Sequence, residues 1–557
     1  MNFFILVSYY FVFFVSISGY GLFFVKFLKL NLNKNEYSLI GIFGLIFLTF
    51  ISFISNIFVA HNFIHNIILH SFGIFFFIKF FRDFFPKISV SKKYFYSSLI
   101  FIFIFFTLNL MAKTHDDFGW YHLPYTLNLA QQKLQFGLGH FNHGFRTHSS
   151  IFYINSLFYL PYIKFYSFNF GQQFIFLFSI LFFFQKIFEK KKTINSIQVF
   201  SVLSLLFSLI IFYRLAEHGT DRSGQILIFI LVILIIEFLN EKMDLKKIPL
   251  ILIILSFVFT LKSYFIIFGI LIFPIILKLK LDFKKYKDLI ASYSFIFIFL
   301  LIALNFSVQM ANTGCFLYPI NLSCFSQFEW SFNSKKVQEM NVWYELWSKA
   351  GANPNWRIEN IDEYLTGFNW VNNWISNYFF NKVSDFLGGL FLILLVTYSI
   401  IKKNLFLSNK TNQNYLKIFL CFVVLFLIWF YKFPQLRYGG FVIVANLLFI
   451  SFCFFISSFL FKKKITKSFK ILIILGLMIY SGRNIDRLLN EKYVYEYNIF
   501  GNTFFKIENY DYNTKKLDEN LYLNIVQKGS CWNIPQPCTH RSSVKGRKWK
   551  NYIVYYE

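Results

Sequence analysis

Charge is scarce in this chain. Only 15% of its 557 residues are Asp, Glu, Lys or Arg, while 56% are hydrophobic, a balance that argues against a string of soluble domains. No glycine-rich phosphate loop, Walker motif or dinucleotide fingerprint stands out, which argues against an ATP-driven transporter. Charges within apolar runs are few, Glu237 near a run's end being one, and no internal repeat is evident. A flippase or transporter would show both, so that reading ranks last. The opening stretch MNFFILVSYYFVFFVSISGYG has neither a basic leader nor a small-residue cleavage site, so it reads as a retained helix. Cysteines number six and none has the Cys-x2-Cys spacing of a zinc ribbon.

What the chain has in abundance is apolar runs of bilayer length. These predict an all-α polytopic membrane protein with about 13–14 transmembrane helices. The expected spans are 3–25, 38–60, 63–79, 94–112, 170–186, 195–214, 225–240, 249–262, 263–277, 289–308, 386–401, 415–432, 438–461 and 469–481. A net charge of +28 would suggest nucleic acid in a soluble chain. Seven alternate connections, among them QKIFEKKKT and KLKLDFKKYKD, hold 29 Lys and Arg against 7 Asp and Glu. Positive loops stay cytoplasmic, so the charge reports topology and no nucleic-acid partner is expected. EKMDLKK and KLKLDFKK flank 249–277 and should share a side. The chain therefore crosses and returns, turning near Lys262 and Ser263, in two spans short for a bilayer about 30 Å thick.

This topology puts 113–169, 215–224, 309–385, 433–438 and 482–557 on the outer side. Nine of ten Trp fall there, all but Trp429, as do seven of ten His. Trp343, Trp347, Trp356, Trp370 and Trp374 crowd one loop, where they either stack on sugars or anchor amphipathic helices. Two outward cysteine pairs, Cys315 with Cys324 and Cys531 with Cys538, fit an oxidising compartment. Disulfides within each pair are the simplest arrangement; cross-pairing and zinc stay open.

KTHDDFGWYHLPYTLNLAQQK, 113–133, sets Asp116 and Asp117 beside His115 and next to a span. From Tyr121 onward it reads as an amphipathic surface helix with Pro124 in its first turn, and a lone Asp before it would be an N-cap. A carboxylate pair on such a ledge also suits deprotonation of an acceptor hydroxyl, or a divalent ion held against a phosphate. This pattern resembles the GT-C superfamily, the membrane glycosyltransferases that use polyprenyl-phosphate sugars. FVFTLKSYFIIFGILIFP resembles the Thr-Lys turn of GT-C cores, with Lys262 as that Lys although Leu261 precedes it. ANTGCFLYP, KFPQLRYGG and SCWNIPQPCT resemble uncharacterised bacterial membrane proteins of surface-polysaccharide synthesis, a likeness that runs from about residue 94 onward.

The resemblance implies a catalytic core at 94–308 with its first outer loop at 113–169; the chain departs from the GT-C pattern in extra helices at 1–93 and a large outer loop at 309–385. C-terminal spans at 386–481 and a small extramembrane tail at 482–557 would follow. It implies Asp116 or Asp117 as the catalytic residue, a polyprenyl-phosphate sugar donor, a glycan or lipid-linked acceptor, and a site on the periplasmic side of a bacterial inner membrane. Magnesium or manganese at Asp116, Asp117 and His115 is an optional cofactor. Arg437, in a tight loop, suits phosphate recognition, with Lys262, Arg146, His148 and Tyr121 beside the substrate. Glu217 and Asp221 supply a second acidic motif or an ordinary salt-bridged connector. His140, His143 and His148 offer a loose His-x2-His-x4-His metal spacing, weaker than a phosphate or sugar contact by Arg146 and His148. The rival reading is a polysaccharide polymerase or ligase working from undecaprenyl-diphosphate oligosaccharides, with 309–385 as its large outer loop.

Overall fold

The structure, a computed structural model, describes residues 2–32, 36–84, 92–111, 117–189, 196–215, 217, 219–240, 245–279, 292–351, 358–407, 412–461, 465–501 and 503–557. The described chain is mostly helical. Ten helices are long and apolar enough to cross a membrane, and four shorter apolar helices lie at 99–108, 196–210, 247–261 and 263–279. This is the architecture of a multi-pass membrane protein, and every expected span falls on one of these helices. The Gly219–Asn240 helix is almost wholly buried, whereas Phe63–Phe84 exposes Ile64, Ile67, Ile68, Phe72, Phe75 and Ile78. Apolar side chains facing outward are what a lipid-contacting helix requires.

The break at Lys262 is a true reversal. Lys247, at the start of the Lys247–Leu261 helix, pairs with Glu237 at 3.2 Å. Lys278, after the break, reaches back to the carbonyl of Leu239 at 3.2 Å. Lys262 itself meets Asp221 at the other end of the Gly219–Asn240 helix. One buried helix thus measures the hairpin, with both ends of the hairpin at one face and its turn at the other. At the same end of the Gly219–Asn240 helix, Asn412 bonds Asn240 at 2.8 Å.

The all-α expectation needs correction in the tail. Tyr512–Asp518, Leu521–Val526 and Cys538–Thr539 form a three-stranded sheet, and Lys545–Trp549 pairs antiparallel with Tyr552–Tyr556. The first three helices join the rest through polar contacts: Asn66 donates to the Ser156 and Tyr159 carbonyls at 2.9 Å, and His61 meets Ser156 at 2.7 Å.

At the Glu237 face, Lys186 lies 2.8 Å from Glu237 and 3.2 Å from Glu36, with Lys247 completing a tetrad whose side chains are at most 4% exposed. Removing one member strands a buried charge. Lys186→Met should therefore cost about 3–5 kcal/mol, read as a lowered unfolding midpoint in detergent. An unchanged midpoint would mean that the tetrad is solvated.

Candidate functional site

Asp117 opens a π-helical turn, Phe118–His122, that runs into the Leu123–Gln131 helix. Such turns are rare and frequent at functional sites. The capping role expected for this Asp is absent: its side chain makes no bond to the helix's first N–H groups. Its Oδ2 lies instead 3.4 Å from Nη2 of Arg437. The helix is not a surface amphipath either, since residues 122–130 are all buried. The tail explains this: Trp532 donates its backbone N–H to the Gly119 carbonyl at 3.1 Å. Its ring fills the space where a Cβ on Gly119 would sit. Gln536 bonds Gln131 at 2.9 Å, and Asn312 donates to the Tyr125 hydroxyl at 2.8 Å.

Arg437 is presented by a loop that other elements hold in place. The indoles of Trp429 and Trp374 donate to the carbonyls of Gln435 and Pro434, both at 2.8 Å. The Leu436 N–H donates to the Tyr378 hydroxyl at 2.9 Å, and Gln435 reaches the Trp347 carbonyl at 2.9 Å. Gly439 closes the loop at φ 94°, a left-handed conformation that suits glycine. A side chain at Gly440 would run into the Trp429 ring.

From this loop Arg437 Nε donates to Asp221 Oδ2 at 2.9 Å while its Nη2 faces Asp117. Asp221 also accepts from Lys262. Lys262 is placed by the helix break, where Ser149 bonds the Leu261 carbonyl at 2.6 Å and Thr260 bonds Ser150 at 2.9 Å. Its ammonium lies 4.5 Å over the Tyr438 ring. Two carboxylates and two cations from four distant segments therefore meet in one cluster. Side chains of Asp117 and Arg437 remain 27% and 35% exposed, so the cluster is open to a substrate.

The electrostatics follow from that arrangement. Asp221 holds the Arg437 guanidinium well above its ordinary pKa, outweighing burial. Burial pushes the Lys262 ammonium down, with Asp221 opposing. Burial, and then the charge of Asp117, push the Tyr121 phenol up. Among the described residues no group of three His, Cys, Asp or Glu could hold a metal ion. Arg437 stands between Asp117 and Asp221, so this pair is already balanced by cations and does not fit a divalent ion. His115 and Asp116 lie outside the described residues.

The other expected residues go elsewhere. Arg146 donates to the Gly139 carbonyl at 3.1 Å and lies 4.5 Å over the Phe332 ring. His148 is buried against Gln309 at 2.7 Å. His140 meets the Trp330 carbonyl at 3.0 Å, so the three histidines of that stretch do not converge. Glu217 bonds Arg214 rather than joining Asp221. Tyr438 was missed, although it sits in the quoted KFPQLRYGG; His143, offered only as a metal ligand, feels the charge of Asp117 and lies 5.9 Å from Tyr121. Disulfides join Cys315 to Cys324 and Cys531 to Cys538.

The fold and cluster define a polytopic membrane protein with a charged polar site at one face. The chain belongs to a family described as a domain of unknown function, DUF8201, whose model matches residues 1–444. No curated protein and no solved structure matches it. All four cluster residues lie inside the matched span, and the β-rich tail lies beyond it.

Burial holds His148 neutral, with its pKa lowered to about 4. Because an unfolded imidazole titrates near 6.5, the folded state binds fewer protons between about 6.5 and 4. Its contribution is complete above about 6.5 and is lost as pH falls towards 4, by roughly 1–3 kcal/mol. The unfolding midpoint should fall between pH 7 and 4.5, and His148→Gln should flatten that slope. An identical slope in the variant would assign the acid sensitivity to other groups.

Proposed function

We propose that this chain is a GT-C-like membrane glycosyltransferase. It transfers a sugar from a polyprenyl-phosphate donor to a glycan or lipid-linked acceptor at the outer face of a bacterial inner membrane. The observation that carries the reading is the convergence of Asp117, Asp221, Lys262 and Arg437 at one face of the helices. The orientation rests on the basic connections read in the sequence, since positive loops stay cytoplasmic.

In this reading the acceptor hydroxyl attacks the anomeric carbon, and the bond from that carbon to the phosphate oxygen breaks. The leaving phosphate keeps the electron pair, Asp117 takes the hydroxyl proton, and the anomeric centre inverts. Arg437, 3.4 Å from Asp117, orients the carboxylate that accepts that proton. Lys262 and Arg437 together supply positive charge where the phosphate departs. Arg437 thus serves both carboxylate and donor. Trp343, 6.0 Å from His143 and half-exposed, offers an aromatic face beside the cluster for an acceptor sugar.

The test is a mass-spectrometric profile of lipid-linked sugars in host cells carrying the intact chain or Asp117→Asn. Loss of a positioned base should slow transfer by about 10²–10⁴-fold, so a polyprenyl-monophosphate sugar should accumulate. Accumulation of single repeat units on undecaprenyl diphosphate would instead identify a polymerase.

A further inference from the structure

A second charged cavity lies on the far side of the same helix turn. Asp221 faces Lys262 and Arg437, but its neighbour Arg222 points the other way. The Arg222 guanidinium lies 5.5 Å from the Phe212 ring and 5.6 Å from that of Phe441. Among the described residues no carboxylate hydrogen-bonds it. It lines a cleft of about 440 Å³ with Arg214, Arg483, Asp385, Phe386 and Gly389. Arg214 is committed to Glu217. Arg483 donates to the Ile210 carbonyl at 2.7 Å and lies 3.8 Å over the Tyr213 ring. That bond occupies one edge of its guanidinium, and the residue remains exposed. Asp385 is the one carboxylate lining the cleft.

The position of the cleft decides what it suits. It sits where the Ser196–Ile210, Gly219–Asn240, Ser384–Ile401 and Gly440–Ser457 helices begin or end on the Asp221 face. Ile210, Ile211, Phe386 and Phe441 make its walls apolar. The flanking helices are exposed and apolar just beside it, at Phe391 and Leu392 on one and at Met478 and Ile479 on another. A second groove of about 410 Å³ shares Tyr213, Arg214 and Arg483 and runs on past Arg487. Guanidinium groups suit phosphate oxygens, and apolar surface at membrane depth suits acyl or prenyl chains.

We infer that the Arg222–Arg483 cleft binds the phosphate of an anionic membrane lipid, whose chains run down the exposed apolar faces of the flanking helices. The site stands back to back with the Asp117 cluster, and it is independent of whether that cluster is catalytic. Charge supports one such phosphate: Arg214, Arg222 and Arg483 line the cleft against Asp385, and Glu217, whose charge also reaches Arg222, is paired with Arg214.

The experiment is native mass spectrometry of the full chain in detergent, titrated with phosphatidylglycerol. Phosphatidylcholine of the same chain length measures non-specific retention. The intact chain should retain one phosphatidylglycerol at about tenfold lower lipid concentration than Arg222→Gln/Arg483→Gln, and a millimolar excess of inorganic phosphate should not displace it. Arg483→Gln alone, at an exposed position, serves if the double variant does not fold. Equal retention by a folded variant would overturn the assignment. Ready displacement by inorganic phosphate would also overturn it, because the cleft would then be a site for free phosphate.

Discussion

Everything on the Asp221 face depends on one guanidinium held between two carboxylates. Asp117 and Asp221 come from segments remote in sequence, and without Arg437 their like charges would repel in a half-buried setting. An Arg there satisfies both at once, because its donors fan out in a fixed plane. That geometry is useful only if the Arg itself cannot swing away. Hence the convergence of Trp429, Trp374, Tyr378 and Gln435 on seven residues of backbone, with Gly439 and Gly440 where a side chain would not fit. A loop fixed by side chains from several helices is pre-organised, and a pre-organised charge is worth more to a developing transition state than a mobile one.

The same logic runs along the buried Gly219–Asn240 helix. One end carries Asp221, and the other carries Glu237 in its tetrad with Glu36, Lys186 and Lys247. A hairpin whose two ends are tied near Glu237 and whose turn is tied to Asp221 cannot slide without breaking an ion pair at each end. The register of Lys262 against Arg437 is thereby set. On the other side of the cluster the tail does comparable work. Trp532 and Gln536 press the first loop down, and the Cys531–Cys538 disulfide closes the short segment that carries both.

How much of this was legible in the sequence differs by range of interaction. Hydropathy located the spans, and the matching basic flanks located the reversal at Lys262, because both signals are local. The loop KFPQLRYGG announced a constrained Arg through its Pro and paired Gly. What local reading could not reach was partnership. Asp117 reads as catalytic, with an N-cap as the alternative, but its partner Arg437, 320 residues away, is beyond a local reading. The Leu123–Gln131 helix looked like a surface amphipath because the tail residues that pack against it, Phe505 and Trp532, come from a polar tail with no long apolar run. Arg146 and His148 are buried against Gly139 and Gln309, and Glu217 pairs with Arg214, so these three lie apart from the Arg437 cluster.

The proposed role of the Arg437 cluster is transfer of single sugars from a polyprenyl monophosphate. The direct measurement incubates the purified full chain with a panel of polyprenyl-monophosphate hexoses and glycan acceptors, and identifies the released lipid and the new anomeric configuration. The account predicts release of polyprenyl monophosphate with inversion, lost in Arg437→Ala. Transfer of intact oligosaccharides with release of a diphosphate carrier, undiminished in that variant, would contradict it.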